Sequence, residues 1–174
     1  FNTLSWPRTE VVKLDLAELG GEAAKVLRAD GTEVPSQIVK DEDGRYLVFI
    51  AESVPAMGYR TYFLKRGTEP GPAKTDLRVK GLRLENRYLR VEVDEKTGYL
   101  KSVYDKRLKK NVLARKALAN VLEIYEDRPP NAPGGEPAWN IYLGARTVLE
   151  KPDSVVVLER GPVRARVRVA HTYG

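Results

Sequence analysis

The chain has 174 residues, 30 basic and 24 acidic side chains, one His and no Cys. The lack of Cys excludes disulfides and thiolate metal sites, and the lone His171 speaks against a self-contained transition-metal centre or a His-dependent triad. The apolar share of 42% suffices for a core, and no apolar run reaches the roughly 18 residues of a membrane helix, so neither a membrane partner nor a location outside the cytoplasm is expected.

The elements read as strands almost throughout. Phe1-Asn2-Thr3-Leu4 reads like the inside of a strand, so the first residue is expected to be a cut end. Trp6 opens a strand before Pro7 and is expected in the core. Val11-Val12-Lys13-Leu14-Asp15-Leu16 alternates partway, and Gly20-Gly21 ends that segment and splits any helical turn over 17–24. Lys25-Val26-Leu27-Arg28 leads into Ala29-Asp30-Gly31-Thr32, where Asp-Gly between β-compatible flanks signals a hairpin. Asp41-Glu42-Asp43-Gly44 predicts a second tight turn. Tyr46-Leu47-Val48-Phe49-Ile50 is a continuous apolar run, the pattern of a buried strand. After the turn Val54-Pro55-Ala56-Met57-Gly58, Tyr59-Arg60-Thr61-Tyr62-Phe63-Leu64 alternates again, with Tyr59 and Tyr62 expected to pack in the sandwich. Short strands separated by turns predict a small all-β sandwich.

Gly67-Thr68-Glu69-Pro70-Gly71-Pro72 has Pro and Gly without an apolar anchor, and a boundary is placed there. Residues 1–72 carry 9 basic and 11 acidic side chains, a balance of −2, whereas residues 73–174 carry 21 and 13, a balance of +8. The second part opens a new β pattern with Leu82-Arg83-Leu84-Glu85-Asn86. In Tyr88-Leu89-Arg90-Val91-Glu92-Val93 the residues Leu89, Val91 and Val93 share a face. Asp94-Glu95-Lys96-Thr97-Gly98 is a turn into Tyr99-Leu100-Lys101-Ser102-Val103-Tyr104. The densest basic run, Lys106-Arg107-Leu108-Lys109-Lys110, reads as a solvated turn between strands. It lacks the aromatic-interleaved sheet of an RNA binder. Asn120-Val121-Leu122-Glu123-Ile124-Tyr125 is a further strand.

That strand feeds a long Pro/Gly-rich loop running from Asp127 to Asn140. Loops of this length inside a compact domain are uncommon and often functional or disordered. This one carries Asp127, Glu136, Asn140 and Trp139, side chains suited to touching a sugar. Ile141-Tyr142-Leu143 and Ser154-Val155-Val156-Val157-Leu158-Glu159 follow. In Val163-Arg164-Ala165-Arg166-Val167-Arg168-Val169 the arginines line one face. A nucleic-acid surface is one reading of it. The favoured one is a half-buried strand whose arginines face water or a neighbouring strand. The C-terminus stops on a strand-like pattern.

Several stretches, in this order, resemble the C-terminal β region of α-mannosidases of glycoside hydrolase family 38. Phe1-Asn2-Thr3-Leu4-Ser5-Trp6-Pro7-Arg8 resembles its start. Val34-Pro35-Ser36-Gln37 is similar to its Val-Pro-x-Gln turn, and Val54-Pro55-Ala56-Met57-Gly58-Tyr59 to its Val-Pro-x-x-Gly-Tyr segment. Leu84-Glu85-Asn86 resembles its Leu-Glu-Asn strand. Thr97-Gly98-Tyr99-Leu100-Lys101-Ser102-Val103-Tyr104-Asp105 resembles its Thr-Gly-x-Leu-x-Ser-Leu-x-Asp element. Glu126-Asp127-Arg128-Pro129 with Ala138-Trp139-Asn140 is similar to its Asp-x-Pro loop ending in Asp-Ala-Trp-Asp, although Pro137 and Asn140 replace the flanking acids and Asn131 to Glu136 lengthen it. Gly161-Pro162-Val163-Arg164-Ala165 is similar to the start of a later strand.

The resemblance implies an all-β fold: a small β-sandwich over 1–72, then over 73–174 the first strands of a large sandwich like that of galactose mutarotase. It implies retaining chemistry on α-mannosides, with the nucleophilic Asp and a divalent metal, usually zinc, in an upstream barrel rather than in this chain. No catalytic and no metal residue is assigned here, and the fragment alone is expected to be inactive. The expected partners are the barrel and helical domains of the parent chain, carbohydrate, and further copies of the chain through exposed edges; nucleic acid is not expected. Candidate substrate contacts are Asp127, Trp139, Asn140 and Tyr142. Core or interface packing is the competing role for Trp139 and Tyr142. A stand-alone carbohydrate-binding sandwich is the alternative, and a basic nucleic-acid module a third reading. Glu126 and Asp127 are adjacent and would point to opposite strand faces, so they do not form a facing catalytic pair.

Overall fold

The computed structural model describes residues 1–127 and 143–173. Every regular element among them is a β-strand, in keeping with the all-β expectation. The chain divides into two compact units, Phe1–Val79 with Leu158–Arg166, and Lys80–Val157 with Val167–Gly174.

The first unit is built from β1 (Arg8–Asp15), β2 (Ala24–Leu27), β3 (Glu33–Val34), β4 (Ser36–Asp41), β5 (Gly44–Val54) and β6 (Phe63–Arg66). They form two three-stranded sheets, ordered β1-β5-β4 and β3-β2-β6. The β2–β3 turn is closed as its sequence predicts: Gly31 sits at φ +81°, and Asp30 Oδ1 accepts the Thr32 N–H at 2.9 Å. At the second hairpin Asp41 pairs with Gly44 across a two-residue loop. Strand alternation sends Val12, Leu14, Ile38, Leu47, Phe49 and Ala51 to the inner face, where they meet Ala24, Val26, Val34 and Leu64 of the other sheet. Leu47 and Val26 are fully buried.

The opposite face of β1-β5-β4 is set by the same register. Gln37 stands across from Val48 and Lys13, and Val39 across from Tyr46, with Asp41 beyond. Val39, Val48 and Gln37 are buried although they point away from the core. Their cover comes from the far end of the chain, where residues 158–166 return to this unit.

Three local readings are corrected here. The first four residues form one bridge, Asn2 to Gly58, rather than a strand. Trp6 lies 57% exposed rather than in the core, because Asn2 and not the indole anchors the segment. Residues 59–62 stay outside the strand that begins at Phe63, and Tyr59 is exposed against Phe1 at 5.6 Å. Tyr62 does pack as expected, edge-on to Phe49 at 5.0 Å.

The second unit contains β8 (Arg83–Glu85), β9 (Leu89–Val93), β10 (Leu100–Asp105), β11 (Lys110–Asn111), β12 (Glu123–Asp127) and β13 (Leu143–Val148). β7 (Arg78–Lys80) lies at the division and borders β8 in a sheet ordered β11-β10-β9-β8-β7. β12 pairs with β13, and β14 (Ser154–Arg160) with β15 (Ala165–Ala170). Val93 and Tyr99 are its buried centre. Residues 120–122, read as the start of a strand, precede it instead. The Lys106-to-Lys109 turn lies between β10 and β11 and is largely exposed, in line with the solvated reading.

Candidate functional site

Of the four candidate sugar contacts, Asp127 is described and Trp139, Asn140 and Tyr142 lie outside the described residues. Asp127 is the exposed last residue of β12 and stands opposite Leu143, so both stems of the long loop meet on one antiparallel pair. The pair is fastened by Glu123, which accepts from Tyr125 Oη at 2.7 Å and from the Arg146 guanidinium. Arg146 holds the Glu123 carboxyl below its ordinary range, and that carboxylate in turn raises the Tyr125 phenol. Glu126 and Asp127 are consecutive on β12, and consecutive strand side chains point apart.

The residues that carry the family resemblance meet one another in the fold. Asn2 is buried, and its carboxamide donates to the carbonyls of Trp6 at 2.8 Å, Val54 at 3.2 Å and Pro55 at 3.0 Å. Its Oδ1 accepts the Leu4 N–H at 3.1 Å. The opening stretch is thereby tied to the Val54-Pro55 turn.

Gln37, last of Val34-Pro35-Ser36-Gln37, accepts the N–H groups of Val163 and Arg164, each at 3.1 Å. Those two donors belong to Gly161-Pro162-Val163-Arg164-Ala165, whose Gly161–Pro162 peptide is cis. Around this junction runs a chain of charges. Glu159, buried, takes Arg164 through Nε at 2.6 Å and Nη2 at 2.8 Å, and Arg166 Nε at 3.0 Å. Arg166 also reaches Asp41, and Asp41 takes Lys13 Nζ at 3.0 Å. Arg166 and then Lys13 lower the Asp41 carboxyl, and Glu159 raises the Arg164 guanidinium. The arginine face of the last strand therefore meets neighbouring carboxylates at Arg164 and Arg166, as the half-buried-strand reading expects.

In the second unit Glu85 of Leu84-Glu85-Asn86 accepts from Lys106 Nζ at 2.6 Å and Arg83 Nη2 at 2.5 Å. Lys106 first, then Arg83, push the Glu85 carboxyl down to about 2. Asn86 Oδ1 accepts the N–H groups of Tyr88 at 2.9 Å and Leu89 at 2.8 Å. Asp105 caps the basic turn by accepting from Arg107 N at 2.8 Å and Leu108 N at 3.1 Å, which lowers its own carboxyl. Gly98 presses on Val169. The Tyr99 hydroxyl donates to the Leu149 carbonyl, and the ring stacks on His171 at 5.7 Å. These pairings were not readable from the motifs, because spacing along a chain says nothing about which distant motif a side chain will meet.

Two cavities accompany these contacts. One of about 200 Å³ in the first unit is lined by Phe1, Asn2, Arg8, Glu10, Arg60 and Tyr62 among others. One of about 530 Å³ in the second lies between Lys96, Leu118, Val121, Val148 and Lys151. Among the described residues no group of three or more His, Cys, Asp or Glu side chains is placed to hold a metal ion. The imidazole of His171 has both nitrogens buried.

Comparison with known proteins follows the same lines. Residues 84–174 match the family model described as the glycosyl hydrolases family 38 C-terminal domain. An α-mannosidase from Enterococcus faecalis V583 superposes with a TM-score of 0.64 at 18% identity, over 97% of this chain and 22% of its own. A family 38 protein from Enterococcus faecalis superposes at 0.60 and 19% identity, over 97% and 23%. The chain thus spans less than a quarter of those solved structures, and at such identities the likeness is one of fold. The search of curated proteins returns no match. The Leu84-Glu85-Asn86 strand, the Asp105-capped turn and the Gly161-to-Ala165 tip all fall within the matched residues, and the chain belongs to the family of glycosyl hydrolase family 38 C-terminal domains.

Proposed function

We propose that this chain is the non-catalytic β portion of a retaining α-mannosidase. It supports a catalytic barrel and helical domains elsewhere in the parent protein, and it lends the 128–142 loop to the sugar site. One observation carries the scaffold part: the polar groups of the family motifs are committed to backbone and to one another. Asn2, Gln37, Glu85, Asn86 and Asp105 hold turns and strands together, and a reacting group must instead reach substrate. The loop part is supported by the hairpin stem, which would present Asp127, Trp139, Asn140 and Tyr142 from a fixed base at Asp127 and Leu143. Trp139 would stack on an apolar sugar face while Asp127 and Asn140 bond to hydroxyls. The divalent metal that the family resemblance implies, usually zinc, finds no fitting donor set in a sequence with one His and no Cys, and in this reading it resides in the barrel. The same reading takes 1–72 as the small sandwich and 73–174 as the opening of a mutarotase-like one, in a cytoplasmic enzyme. Hydrolysis of an aryl α-mannoside by this polypeptide alone tests it. No turnover above buffer is expected, and turnover would overturn the scaffold reading.

A carbohydrate-binding role independent of any barrel has one observation in its favour. Phe1, Trp6, Met57 and Tyr59 are all exposed, and the Asn2–Gly58 bridge draws their backbone segments together. Titration of mannose or a mannobiose against tryptophan fluorescence, with Trp6→Phe separating the two indoles, tests that reading. A saturable change lost in Trp6→Phe supports it, and a flat titration removes it.

A further inference from the structure

Gln37 and Val163 are 126 residues apart in sequence, yet their contact has a particular construction. The 158–166 tip closes on itself first. Gly161 N–H donates to the Arg164 carbonyl at 2.9 Å, and Glu159 holds both Arg164 and Arg166 across the turn. None of those bonds involves the sheet beneath. The bonds that do are made by side chains: Gln37 Oε1 to two N–H groups, Asp41 to Arg166, and Thr75 Oγ1 donating to the Pro162 carbonyl at 2.9 Å. β14 and β15 form a two-stranded sheet of their own, separate from β1-β5-β4. The tip can therefore leave without breaking a backbone ladder on either side. It would uncover a narrow apolar strip, Val39 and Val48, between one amide acceptor and one carboxylate.

We propose that residues 158–166 form a detachable clasp. It is a preformed hairpin tip that opens from the outer face of β1-β5-β4 as one piece while the sandwich stays folded. That face is accordingly a seat for an extended, arginine-bearing segment. Gln37 fixes its register through two N–H groups, and Asp41 selects its arginine. Local opening of this kind needs only the contacts of the opening segment to be lost, so it lies below the free energy of global unfolding.

Hydrogen exchange on the full chain, resolved to single amides by NMR, tests the clasp. Two variants are used, Asp41→Asn, which keeps shape and removes charge, and Gln37→Met, which removes the acceptor. The Val163 and Arg164 amides are expected to exchange about 10-fold faster in each variant, the change that follows from losing one hydrogen bond to a charged or buried partner. Amides of Leu47 and Phe49 are expected to keep their native rates. Acceleration of the β5 amides in step with Val163 and Arg164 would make the tip part of one cooperative sandwich and overturn the proposal. Unchanged rates at Val163 and Arg164 in both variants would overturn it as well, since Gln37 and Asp41 would then not be what holds the tip.

Discussion

Gly98 and Val169 are in contact so close that a β-carbon added at Gly98 would lie 2.3 Å from Val169 Cγ1. Gly98 also sits at φ +72°, where an L side chain is strained. Its place in the Thr97-Gly98 motif thus has two independent physical causes, one of backbone conformation and one of space.

Gly98→Ala is expected to destabilise the protein by about 2–4 kcal/mol, the sum of left-handed strain and overpacking. Gly21→Ala, at φ +78° with open space around it, is expected to cost only about 1 kcal/mol. The double variant Gly98→Ala with Val169→Ala should recover part of the overpacking loss. Chemical denaturation of the four proteins checks the order.

Leu47→Ala should be the most damaging single truncation in the first unit. Leu47 is wholly buried at the centre of β5, between the two sheets. The expected loss is about 2–5 kcal/mol, while the exposed Val11→Ala on the other face of β1 should stay within about 0.5 kcal/mol. Equal losses at the two positions would contradict the assigned faces.

Acid should loosen the second unit through Glu85. Its carboxyl titrates near 2 in the folded chain against an ordinary value of 4.5, because Lys106 and Arg83 favour the charged form. As pH falls the unfolded chain takes up this proton first. The stabilisation is therefore complete above 4.5 and is lost as pH approaches 2. Thermal melts across that interval should show a shallower pH dependence for Glu85→Gln than for the native chain. Parallel curves would mean that the ion pair contributes nothing.

In the parent enzyme, Trp139→Ala and Asp127→Asn should each lower kcat/KM on an α-mannoside about 10-fold or more with melting temperature unchanged. A drop in melting temperature with unaltered kinetics would assign these side chains to packing instead.

The strands were legible where local chemistry decides them. The Asp30-Gly31 and Asp41-to-Gly44 turns and the apolar run through Leu47 each fix φ/ψ or burial within a few residues. Trp6 and Tyr59 were misplaced because aromatic character predicts burial only on average, and here the small amide of Asn2 provides the anchor. The seat of Val163 and Arg164 on Gln37 was illegible for a different reason: strand alternation reports which side chains share a face and is silent about what lies opposite. At the candidate sugar site the sequence identified the loop, and the fold adds the Asp127–Leu143 stem on which it stands.

The four hydrogen bonds of Asn2 have a practical consequence for anyone producing this polypeptide. An affinity tag joined directly ahead of Phe1 would be leashed one residue from a fixed anchor. A flexible Gly/Ser spacer in front of Phe1 would free the tag, whereas a cleavage scheme that replaces Asn2 would remove the anchor itself.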